Sequence, residues 1–163
     1  MTELIRKKLN DSPVARWTAM FIVSFTMMCG YFISDVMASL EVMCTAPVAE
    51  GGLGWSSSEY GFFSGAYGYI NVFLLMLFFG GIILDRCGVR FTGVMSSSLM
   101  LGGALLKWYA LSTDFGDATF LGYHLQVVLA ALGFAIFGMG AEITGITVTK
   151  VIVKWFQGKE MAL

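Results

Sequence analysis

Two carboxylates stand in stretches that carry no other charge: Asp35 within residues 17–40 and Glu142 within residues 125–149. An acid at the centre of a membrane-spanning helix costs about 2.5–3.5 kcal/mol, so each requires a partner or a task. At helical spacing Asp35 shares a face with Ser24, Met28, Tyr31, Ala38 and Ser39. A carboxylate beside hydroxyls can bind a substrate amine or exchange a proton, or a neighbouring helix can hold it for packing alone. Glu142 has Gly138, Gly145 and Thr149 on its face, and small neighbours let another backbone close in. It is therefore either buried against that helix or open to a cavity. Tyr60, Ser64, Tyr67 and Asn71, spaced four, three and four, make a polar-aromatic stripe suited to binding or to packing between helices. Gly133, Gly138, Gly140, Ala141 and Gly145 read as contact points between helices. A substrate or proton site is thus expected among Asp35, Tyr31, Tyr67, Asn71 and Glu142.

The sequence shows no nucleophile–base set, metal-ligand cluster or phosphate-cradling loop, so neither an enzyme nor a metal or cofactor is expected. The single histidine, His124, receives no role. Cys29, Cys44 and Cys87 form no framework. The first two would lie about 22 Å apart along a helix, too far to bond.

The elements that must hold these groups follow from how the charge is segregated. Of 163 residues, 57% are hydrophobic and 13% charged, with a mean hydropathy of +0.76. That exceeds the apolar share of an ordinary soluble domain, about 45–50%. With 20 glycines, 2 prolines and no ten-residue segments of alternating polarity, the pattern indicates helices rather than a β-barrel. The class is an all-α membrane protein with no nucleic-acid partner. Spans are expected at about 15–43, 60–84, 91–111 and 121–153. The first run, from Trp17, outlasts the roughly 7–15 apolar residues of a signal peptide, so it reads as an uncleaved helix. Ser56 and Glu59 have capping-box spacing at the start of the second span. Lys107, Trp108 and Tyr109 read as snorkelling and belt residues at a membrane interface. With the amino terminus in the cytoplasm, Arg6, Lys7, Lys8, Arg16, Arg86, Arg90, Lys150, Lys154 and Lys159 fall inside and only Lys107 outside. Charge bias of that strength orients a protein.

Between the second and third spans lie Gly81, Asp85, Arg86, Cys87, Gly88, Val89 and Arg90. A polar stretch this short must be a hairpin at one membrane face, and Gly88 offers the positive φ that ends a helix. The pattern Gly-x-x-x-Asp-Arg-x-Gly-x-Arg resembles the loop between the second and third helices of the major facilitator superfamily. Gly133 to Glu142 resembles the fourth-helix pattern, with Phe134 where many members carry arginine, and Lys154 to Glu160 resembles the turn into the fifth helix.

This resemblance implies four helices of an N-terminal six-helix bundle, the first third of a longer transporter, with a fifth helix beginning after Lys159. It implies a gating motif at Gly81, Asp85, Arg86, Gly88 and Arg90, in which Asp85 accepts from a helix N-terminus or arginine and the arginines pair with cytoplasmic acids. Val89, where the motif often has a base, weakens that latch. The implied function is secondary or facilitative transport of a small organic solute by alternating access. Tyr31 to Asp35, Tyr67 to Asn71 and the Lys-Trp-Phe turn look closest to a branch that includes lysosomal dipeptide transporters and bacterial relatives, which suggests amino-acid- or peptide-like substrates. The partners would be the lipid bilayer, the solute and the remaining helices of the full-length chain, in a bacterial inner membrane. The competing reading is a non-transporting four-span accessory or scaffold protein.

Overall fold

The computed structural model describes residues 12–158. Residues 1–11 and 159–163, with Arg6, Lys7, Lys8, Lys159 and the expected start of a fifth helix, lie outside the described residues. Five α-helices follow in order: α1 (Pro13–Ser39), α2 (Glu41–Thr45), α3 (Ser57–Phe73), α4 (Met76–Ser112) and α5 (Leu125–Phe156). A two-stranded ribbon, β1 (Thr119–Phe120) and β2 (Tyr123–His124), precedes α5. The architecture is that of an all-α membrane protein, in which α1, α4 and α5 are each long and apolar enough to cross a bilayer.

Helix α1 begins with Pro13 in its first turn, where the missing N–H is no loss, and Ser12 caps it. It ends at Ser39, short of the expected residue 43, and the short α2 takes up the chain from Glu41. Ser56 and Glu59 form the full reciprocal capping box on α3.

The expected second span is not one continuous helix. It stops at Phe73 and restarts at Met76, with Leu75 in the left-handed conformation (φ 48°, ψ 42°). Helical residues then continue almost through the predicted hairpin, interrupted by Gly88 (φ 79°, ψ 170°), a conformation open essentially to glycine alone.

Contacts with α5 show the chain reversing there. Phe63 stacks on Phe134, Tyr67 bonds Glu142, and Gly80 lies against Ile143 and Ile146. The numbers rise together, so residues 57–84 run parallel to α5. After Gly88 they run oppositely: Gly93 lies near Thr147, Ser96 bonds Thr144, and Gly103 meets Phe137 and Gly133. Helix α1 is also antiparallel to α5, with Trp17 on Phe156 at one end and Met27 beside Gly145 further along.

Helix α5 is the common partner of the other three, and 61% of its most apolar stretch is buried against 11% for α1. Small residues make this possible. A Cβ on Gly138 would lie 2.2 Å from the Tyr67 carbonyl oxygen, and one on Gly103 would lie 2.4 Å from the Phe137 nitrogen, so backbones meet directly.

That close approach corrects the expectation for Lys107. It does not snorkel to an interface: it is 7% exposed, with Nζ 4.7 Å from the centre of the Phe134 ring and 5.5 Å from that of Phe137. Trp108 and Tyr109, on the other faces of α4, remain exposed.

Candidate functional site

Helices α1, α3 and α5 line an open cavity of about 330 Å³ with Tyr31, Ser34, Asp35, Met37, Ala38, Tyr60, Ser64, Tyr67, Phe134 and Glu142 on its wall. Both intramembrane carboxylates therefore face one space, and among the described residues no basic side chain lines it. Asp35 comes from the last turns of α1, where the Ser34 hydroxyl lies 3.3 Å from its carboxylate and 2.8 Å from the Tyr31 carbonyl and can donate its one proton to either. Glu142 comes from the middle of α5 and accepts the Tyr67 hydroxyl at 3.1 Å.

The stripe on α3 supplies the wall between α1 and α5. Tyr60 donates to the Met37 carbonyl of α1 at 2.9 Å, and Tyr67, seven residues on, reaches Glu142. Seven residues of helix span about 10 Å, the length of wall that α3 supplies between these two rings. Among the described residues no hydrogen bond joins Asp35 to Glu142. Such a space can hold a solute bearing an ammonium group at one acid, or pass a proton to a carboxylate whose partner hydroxyl can turn away.

The remaining candidates divide. Ser64 is on the wall, whereas Ser24, Met28 and Ser39, which share Asp35's stripe in sequence, are not. Asn71 is off the wall as well: its amide donates weakly to the Tyr67 carbonyl at 3.4 Å, and its Oδ1 is buried without a partner, one turn before the break at Leu74 and Leu75. Sequence reasoning missed Ser34, Tyr60's carbonyl bond and Phe134 as wall residues. Only a contact map linking α1, α3 and α5 would have found them.

At the end of the bundle where α1 begins, Asp85 accepts from Lys150 of α5 at 2.5 Å. The side chains are 76% and 41% exposed, so the pair contributes little by itself. The resemblance pointed instead to an arginine or helix N-terminus as Asp85's partner. Among the described residues, Arg86 and Arg90 make no ion pair. Gly81 and Gly88 have open space around them.

At the opposite end His124, given no role in the sequence, joins Glu59. Its backbone N–H donates to Glu59 Oε1 at 3.0 Å and its Nδ1 lies 2.5 Å from the same oxygen, while the Ser56 N–H and hydroxyl serve Oε2 at 2.9 Å each. Glu59 lies just outside the predicted second span. Burial alone would raise its pKa, but the backbone bonds from His124 and Ser56, then the side-chain bonds from Ser56 and His124, outweigh it and hold the carboxyl at about 2.

No family model matches the chain, and no solved structure does. A comparison with curated proteins finds 26% identity over 149 residues to the lysosomal dipeptide transporter MFSD1 of Bos taurus, covering 91% of this chain. The chain spans 28% of that protein's length. The likeness supports membership in the major facilitator superfamily at most.

Proposed function

We propose that this chain forms the amino-terminal part of a secondary or facilitative transporter that moves a small ammonium-bearing solute, amino-acid- or peptide-like, by alternating access. The observation that carries this reading is the pair of carboxylates, Asp35 and Glu142, facing one hydroxyl-lined cavity without a basic residue on its wall. The curated relative's name, a dipeptide transporter, agrees with that chemistry. Four bilayer crossings follow if α3 and residues 76–87 together make the second and residues 89–112 the third. Basic residues at the Asp85 end argue for a cytoplasmic amino terminus. On this reading the Asp85–Lys150 pair and the Gly88 turn belong to a gate, and the solute site is completed by helices beyond this chain.

Uptake of leucylalanine into vesicles carrying the full-length protein tests the proposal. A hydrogen bond to a charged group is worth about 1.5–3 kcal/mol. Asp35→Asn and Glu142→Gln should therefore each reduce uptake by about tenfold or more at unchanged amounts of folded protein. Wild-type uptake by both variants, across substrates and pH, removes the carboxylates from the mechanism.

A further inference from the structure

Lys107 is a buried ionisable group that neither the cavity chemistry nor the Asp85–Lys150 pair uses. It lies on a membrane-spanning helix, and among the described residues its ammonium meets no carboxylate and no hydrogen-bond acceptor, only the rings of Phe134 and Phe137. A lysine that served only to fill space would be better replaced by an apolar side chain of similar length, because removing an ammonium from water is costly. Nor can it easily leave. At Gly133 an added Cβ would lie 2.6 Å from the Lys107 nitrogen, so the two backbones touch where the side chain starts, and Phe134 is the next residue along.

What the ammonium touches is part of the cavity wall. Phe134 lines the cavity, stacks on Phe63 at 5.2 Å and meets the Tyr67 ring at 5.5 Å, and the Tyr67 hydroxyl holds Glu142. A continuous line of contacts thus runs from the charge of Lys107 through two rings to a cavity carboxylate. Cation–π attraction is strongest where water is excluded, as it is here.

We propose that Lys107 is a positioning residue for the cavity: its ammonium holds the Phe134 ring, and through it Tyr67 and Glu142, in the geometry that receives the solute. This rests on the reading that the cavity binds a solute, so the test separates the two. The full-length protein in nanodiscs carries 4-fluorophenylalanine at Phe134 or 3-fluorotyrosine at Tyr67, and ¹⁹F spectra are compared for wild type, Lys107→Met and Lys107→Arg. Lys107→Met should move or broaden both resonances, and Lys107→Arg should restore both. In uptake, Lys107→Met should raise KM for leucylalanine about tenfold, equivalent to about 1.4 kcal/mol, with maximal rate changed less than twofold. Lys107→Arg should stay near the wild-type KM.

A Tyr67 resonance indifferent to Lys107→Met overturns the proposal whatever transport shows, as does an unaltered KM in a protein that transports leucylalanine. If wild type takes up no leucylalanine, the substrate reading fails, and the two resonances alone decide whether Lys107 positions the wall. Should Lys107→Met fail to fold, Lys107→Gln, polar but uncharged, carries the same comparison.

Discussion

Glu59→Gln tests how the His124 end of the bundle is held. In the native protein four contacts converge on this carboxylate, which is 8% exposed, and its pKa is held at about 2 against an ordinary 4.5. At about 1.4 kcal/mol for each tenfold change in acid dissociation, that depression corresponds to about 3 kcal/mol of stability. Because the folded pKa is the lower one, this stability is fully present above pH 4.5 and is lost as pH falls from 4.5 towards 2. In Glu59→Gln, one acceptor oxygen becomes an NH₂ facing either the Ser56 or the His124 donors, leaving buried groups unmatched at a cost of about 1–3 kcal/mol. The assay is the unfolding midpoint of the purified chain in mild detergent, from pH 7 to pH 3, for wild type and variant together. Other carboxylates titrate in the same range, so the difference between the two curves is the informative quantity. It should be about 2–3 kcal/mol at pH 7 and shrink as the wild-type carboxyl is protonated. Curves that coincide at pH 7, or a gap that widens on acidification, would refute the reasoning.

Three further substitutions probe the backbone. Gly88→Ala meets nothing within 4 Å, so any loss comes from conformation alone, and at φ 79°, ψ 170° it should cost about 1–3 kcal/mol of detergent stability. Gly138→Ala places a Cβ against the Tyr67 carbonyl and should disturb both the α3–α5 contact and the Tyr67–Glu142 bond, lowering the unfolding midpoint by about 1–3 kcal/mol. Leu75→Gly is a test of sign. In the left-handed conformation of Leu75, glycine relieves about 1 kcal/mol of strain and the midpoint should rise. A midpoint that falls, as glycine inside a continuous helix would make it do, refutes the break.

Local signals in the sequence carried the parts of the fold that depend on neighbours along the chain. Segregated charge marked the apolar passes, Ser56 and Glu59 announced their cap, and Gly88 marked the turn. The break at Leu74 and Leu75 left no such trace, since two leucines favour helix and neither proline nor glycine interrupts the run. Lys107 read as an interface residue because Trp108 and Tyr109 follow it. Its burial is decided by Gly133, 26 positions away, which admits the α4 backbone. The Glu59–His124 contact spans 65 residues, beyond any window of local pattern. The α3 tyrosines carried no local mark of their partners, the Met37 carbonyl and Glu142, which lie 23 and 75 residues away.

The central place of α5 has a consequence for biosynthesis. Because α1, α3 and α4 touch one another far less than they touch α5, these earlier helices leave the ribosome before their shared partner has been made. Their polar faces, including Asp35 and the tyrosines of α3, must wait beside lipid or the insertion machinery until residue 125 onward emerges. Packing of these helices on one another is therefore delayed until α5 is made, so a chain arrested before Leu125 should be handled by the cell as unassembled membrane segments.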